Sequence, residues 1–112
     1  KYSNVRCKLK NWWEAEGVMA LSKELFGDAD GSHATCGEVS LTQFAYPHSI
    51  KSAEMDPPIA PTGPFYDAAD FRRRFPDGRI GSNPSLASPE AGEKLFKKAL
   101  TGLEKDYAAF AA

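Results

Sequence analysis

Residues 5–10 read Val-Arg-Cys-Lys-Leu-Lys, apolar and basic in strict alternation. A period of two predicts a strand with one buried and one wet face. It is the one clear strand in the pattern. Val and Ile together number only six, so strand formers are scarce elsewhere, and the strand needs partners that the chain does not visibly supply. From 14 to 26 the spacing changes: Val18, Leu21 and Leu25 fall at i, i+3 and i+7 among charged residues, predicting an amphipathic helix that stops at Gly27. Asp, Gly and Ser dominate 28–37, a loop. Thr35 and Glu38 then match a capping box, so a second helix should run to Tyr46, before Pro47. Five of the eight prolines lie in 47–64, an irregular excursion of the kind that forms functional or interface loops. Asp67 and Asp70 can cap a short helix that ends before Pro76, and Arg72, Arg73 and Arg74 suit its solvated C-terminal end. The last element has the longest pattern. Ser88 is a good N-cap, Pro89 suits the first helical position, and Phe96, Leu100, Leu103, Tyr107 and Phe110 recur at spacings of 4, 3, 4 and 3. That stripe should pack on a sheet or a neighbouring helix, or else on another copy.

At 112 residues the chain holds one small domain, without a repeat or a second boundary. Fourteen Lys and Arg against fifteen Asp and Glu give a net charge of −1, which argues against a nucleic-acid or anionic-membrane binder. No apolar run is long enough to span a bilayer, and no signal-peptide pattern opens the chain. Cys7 and Cys36 are far apart and show no metal-binding or disulfide-scaffold spacing, so a cytoplasmic, reducing setting is the default and a single Cys7–Cys36 bridge stays open.

Chemistry concentrates in Asp-Ala-Asp-Gly-Ser-His-Ala-Thr-Cys-Gly-Glu, residues 28–38. His33 precedes a helix N-terminus with Glu38 five residues on, which places a group titrating near neutral pH beside a carboxylate. Each has a plain alternative. His33 can be a hydrogen-bonded loop histidine, and Glu38 can close the capping box, a role compatible with acid chemistry. Asp28 and Asp30 open like a calcium loop, but His33 stands where Gly is needed and Val39 where Glu is needed, which excludes that motif. Cys36 near His33 could suggest a thiol nucleophile, yet no third orienting group is evident. Trp12 and Trp13 end the expected strand, where they are either substrate-facing residues or core or interface anchors. His48 reads as a surface residue.

The residues from Gly31 to Leu41 resemble the H-A-G-x-x-E-T-S-L signature of the creatininase (creatinine amidohydrolase) family. His33, Ala34, Glu38, Ser40 and Leu41 match, with Thr35 in place of Gly and Val39 in place of Thr. A variant pattern, H-A-T-x-x-E-V-x-x-T-Q-x-A-Y-P, is also matched at Thr42, Gln43, Ala45, Tyr46 and Pro47. Farther on, 81–92 resembles the family's G-x-D-P-x-x-A-T-x-E-x-G approach to its last helix, with Asn83 where Asp is usual. The resemblance covers residues 4–105. It implies a metal-dependent hydrolase of cyclic or linear amide C–N bonds, on an α/β/α layered fold that forms homo-oligomers. It also implies two divalent ions, Zn²⁺ or Mn²⁺, held by carboxylates and histidines of an N-terminal half. The start at Lys1, the unpartnered strand and the lack of those ligands lead to the expectation that 1–112 is the C-terminal portion of one hydrolase domain. Under the resemblance, His33 matches the catalytic histidine and Glu38 the accompanying acid, facing a small-molecule amide, while Trp12 and Trp13 are substrate-covering residues by position only. The competing expectation is a non-catalytic interaction or structural module that uses the proline-rich loop and the C-terminal helix.

Overall fold

The computed structural model describes residues 4–112; the first three residues of the expected domain lie outside them. Four α-helices carry the fold: α1 (Val18–Phe26), α2 (Cys36–Ala45), α3 (Ala68–Arg74) and α4 (Pro89–Ala111). Short 3₁₀ turns at Trp12–Glu14, Gly27–Ala29, Pro47–Ser49 and Pro84–Leu86 connect them.

The α/β/α layering with one clear strand is not what this sequence forms. The described residues contain no strand and no sheet, and the sole β-type pairing is an isolated antiparallel bridge between His33 and Ile80. Residues 5–10 are extended but unpaired, and their alternation is used the other way round. Val5 and Leu9 face solvent, Leu9 with 92% of its surface exposed. The basic positions make the contacts instead: Arg6 donates to Phe110 O at 2.7 Å with its guanidinium 5.1 Å from the Phe110 ring, and Lys10 pairs with Asp106 at 3.0 Å. A period-two pattern fixes which residues share a face, while the available neighbour decides which face is covered. Here the neighbour is the C-terminal end of α4, at Asp106 and Phe110.

The expected helices form, with local adjustments. The first begins at Val18 instead of Glu14, because Gly17 takes a left-handed φ of +80° and separates it from the Trp12–Glu14 turn. The capping box of α2 is complete, with Glu38 N donating to Thr35 Oγ1 at 3.1 Å and Thr35 N donating to Glu38 Oε2 at 3.2 Å. Asp67 caps α3 through Asp70 N at 2.8 Å, and Ser88 caps α4 through Ala91 N at 3.0 Å.

The face that α4 buries is not the one its large residues mark. Ala91, Gly92, Leu95, Ala99 and Gly102 are buried, whereas Phe96, Leu100 and Tyr107 of the expected stripe are exposed and Leu103 and Phe110 are half-buried. Small residues win because α4 lies almost in backbone contact with α2: a Cβ on Gly92 would overlap the Ser40 carbonyl. The core that results is thin. Val18, Phe26, Cys36, Leu95 and three alanines make its centre, with Trp12, Leu21, Leu25 and Leu41 packed around it.

Candidate functional site

The loop between α1 and α2 is shaped by two backbone features. Gly31 has φ +75°, and a Cβ there would lie 2.5 Å from both Ile80 O and Ser82 N, so the loop presses on 80–82 with no room for a side chain. Ala34 is the one non-glycine residue with positive φ among those described, at +55°. This conformation costs an L-residue roughly 1 kcal/mol. It turns the chain sharply from His33 into the Thr35 cap.

His33 is held on every backbone side. Ser32 N and His33 N donate to Ile80 O at 2.9 and 3.4 Å, Ile80 N donates to His33 O at 3.2 Å, and Ser82 Oγ donates to the same carbonyl at 2.9 Å. The exposed ring lies edge-on to Phe71, with 6.2 Å between centroids. Its Nδ1 is 2.5 Å from Gly78 O. A carbonyl only accepts, so Nδ1 carries the hydrogen in the neutral ring, and Nε2 keeps its lone pair. Nε2 makes no hydrogen bond to the described residues.

Behind this loop a cleft of about 450 Å³ is lined by Trp12, Trp13, Met19, Ser22, Lys23, Gly27, Asp30, Gly31, Ser32, Thr35 and Glu38. Three of the four residues singled out from sequence, Trp12, Trp13 and Glu38, thus meet at one surface, the two indoles edge-to-face at 5.8 Å. His33 is not among the lining residues, and no hydrogen bond or ion pair joins it to Glu38. Its ring belongs to the opposite side of the same loop, toward α3. Glu38 also lines a second depression of about 320 Å³ with Thr42, Gln43 and Tyr46, so it stands on the ridge between the two.

Asp30, read from sequence only as part of an excluded calcium loop, lies in this cleft. Its Oδ1 accepts from Gly37 N at 2.9 Å, inside the first turn of α2. Burial, reinforced by the Glu38 charge nearby, lifts its carboxyl above the ordinary value despite that hydrogen bond. Asp28 is elsewhere, pairing with Lys23 in solvent. Cys36 is fully buried, and its thiol donates toward Ala29 O and Asn83 O at 3.1 and 3.0 Å. Burial pushes the thiol up to about 11, which removes it as a nucleophile at neutral pH.

No group of three or more His, Cys, Asp or Glu among the described residues could hold a metal ion. These residues do not fit the metal centre implied by the sequence resemblance.

The family model for creatininase, described as creatinine amidohydrolase, matches residues 1–106. The chain belongs to the creatininase family. No curated protein matches it. For a creatininase-family chain, His33, Ala34, Glu38 and Ser40 acquire distinct positions: His33 beside α3, Ala34 strained between loop and helix, Glu38 in the cap and the cleft, and Ser40 buried, its Oγ accepting from Ser88 N at 3.2 Å. Membership carries an amidohydrolase type of activity. No helix among the described residues is long and apolar enough to cross a membrane.

Proposed function

We propose that this creatininase-family chain serves the hydrolysis of a small cyclic or linear amide, with His33 moving the proton on the α3 side of its loop. The observation that carries this reading is the Nδ1–H hydrogen bond from His33 to Gly78 O, which leaves Nε2 bare and oriented. Opening an amide needs a base for the attacking water and an acid for the leaving nitrogen. A neutral imidazole with a free Nε2 does both: it takes the water proton as oxygen adds to the carbonyl carbon, then gives it to nitrogen as the C–N bond breaks. The products are a carboxylic acid and an amine. Trp12, Trp13 and Glu38, across the loop from the His33 ring, would bind a flat, polar-edged part of the substrate away from the reacting bond. Divalent metal dependence and homo-oligomeric assembly belong to the same proposal, with the metal ligands coming from residues other than those described.

In the active enzyme, His33→Ala should lower kcat by about 10²- to 10⁴-fold with KM little changed. Trp12→Ala and Trp13→Ala should raise KM. Glu38→Gln keeps an acceptor for the Thr35 cap, so a loss of rate without a loss of Tm would assign its charge to chemistry. Steady-state kinetics on a panel of cyclic and linear amides checks all four variants, and full activity in His33→Ala would end the proton-transfer assignment.

A further inference from the structure

Arg79 is a cation with only 4% of its surface exposed. Burying a guanidinium is unfavourable unless its donors are met, and here four of its five N–H groups find acceptors within the chain. Nε donates to Asp77 Oδ2 at 2.7 Å, Nη1 to Pro58 O at 3.0 Å and Ser82 O at 3.1 Å, and Nη2 to Pro57 O at 2.9 Å. Apart from the Asp77 carboxylate, the acceptors are backbone carbonyls, so Arg79 ties the excursion at 57–58 to the turn at 77–82.

That turn is also what His33 leans on. Gly78, the residue before Arg79, supplies the carbonyl for His33 Nδ1–H. Ile80, the residue after it, forms the bridge to the His33 backbone, and Ser82, whose carbonyl Arg79 also holds, donates its hydroxyl to His33 O. We propose that Arg79 is a positioning residue for His33: by fixing the 77–82 turn it keeps the Gly78 carbonyl against Nδ1 and thereby selects the tautomer whose Nε2 is free. The inference rests on His33 as the proton-transfer group, but the tautomer itself can be read without turnover.

Arg79→Lys keeps a positive charge and most of the stem, yet an ammonium on a flexible chain cannot reproduce a planar fork reaching four acceptors. The test places it in a His48→Gln background, since His48 lies in an exposed loop, and reads the remaining imidazole by long-range proton–nitrogen NMR. The His48→Gln protein should show His33 as the Nδ1–H tautomer. Adding Arg79→Lys should turn it into a mixture of tautomers, and in the active enzyme kcat should fall about tenfold with KM unchanged. A folded Arg79→Lys protein with the tautomer unaltered, even at lower Tm, would overturn the proposal and leave Arg79 a purely structural clamp. Should Arg79→Lys fail to fold, Asp77→Asn loosens the same clamp from a half-exposed position, and the same two outcomes decide. Full activity in His33→Ala, with a tautomer still dependent on Arg79, would end the hydrolytic role of His33 and uphold the positioning.

Discussion

The two cysteines are placed so that one accounts for all thiol reactivity. Cys7 is exposed and Cys36 is buried, and both are free. With its thiol held up to about 11 by burial, Cys36 stays protonated and shielded in the native state. Alkylation at mildly alkaline pH should therefore modify Cys7 alone, with Cys36 reacting only after denaturant is added, as peptide mass spectrometry would show. Asp30 gives a second, signed expectation. Burial raises its folded-state value above the unfolded one, so its contribution is most favourable at acid pH and declines as pH rises through the folded value. Asp30→Asn keeps the oxygen that accepts from Gly37 N and cannot ionise. It should melt higher than the parent at neutral pH, and the gap should close on acidification. Asp70 runs the other way, since hydrogen bonding from Arg74 outweighs its burial and lowers its carboxyl; its stabilisation is present at neutral pH and lost as pH falls through the folded value. Thermal melts of Asp30→Asn, Asp70→Asn and the parent across the acid range check both signs.

At the scale of elements, the decisive test lies on α4. Gly92→Ala forces a methyl into the Ser40 carbonyl and should destabilise by roughly 1–3 kcal/mol, the range for overpacking a close contact. Leu100→Gln, on the face the large residues mark, should change stability by no more than about 0.5 kcal/mol. Chemical denaturation of the two variants measures both. The contrast shows what the sequence disclosed. Caps were legible, because Thr35 with Glu38, Asp67 with Asp70, and Ser88 with Ala91 are bonds between near neighbours. The buried face of α4 was not, because apolar size outlines a stripe while close helix contact selects Ala and Gly. The strand at 5–10 failed for a related reason: alternation describes a ribbon and says nothing of a partner. In the site, the His33–Glu38 region was legible from a motif, whereas the Gly78 carbonyl that orients His33 lies 45 residues away and carries no side-chain signal. Arg79 has no motif or spacing that sets it apart from the other charged residues, because its acceptors at 57 and 58 are distant backbone carbonyls.

The molecule as a whole measures 50 × 35 × 26 Å with a radius of gyration of 16.7 Å, against about 13 Å for a compact chain of this length. Its buried apolar residues include five alanines, and its exposed surface carries Leu9, Met19, Tyr46, Ile59, Tyr66, Leu100 and Tyr107. An extended outline, a thin core and wet aromatics favour association, because covering this surface adds burial that the fold lacks. Sedimentation velocity should show concentration-dependent association, and Phe96→Glu with Leu100→Glu should shift it toward monomer without lowering helix content. A monomer at every concentration would mean the thin core is sufficient alone.

Where Gly31 lies against Ile80 and Ser82, two stretches some fifty residues apart become interlocking halves of one joint. Asn83 N reaches Ala29 O at 2.8 Å, Cys36 Sγ reaches Asn83 O, Ser88 N reaches Ser40 Oγ, and Gly92 lies under the Ser40 carbonyl. Heredity must then treat them as a single part. A hybrid gene that takes residues 29–47 from a relative but keeps its own 78–92 should yield insoluble protein, while one that transplants both together should fold. For recombination, a single breakpoint anywhere between them parts the two halves, so the permissible breakpoints lie before residue 29 or after residue 92.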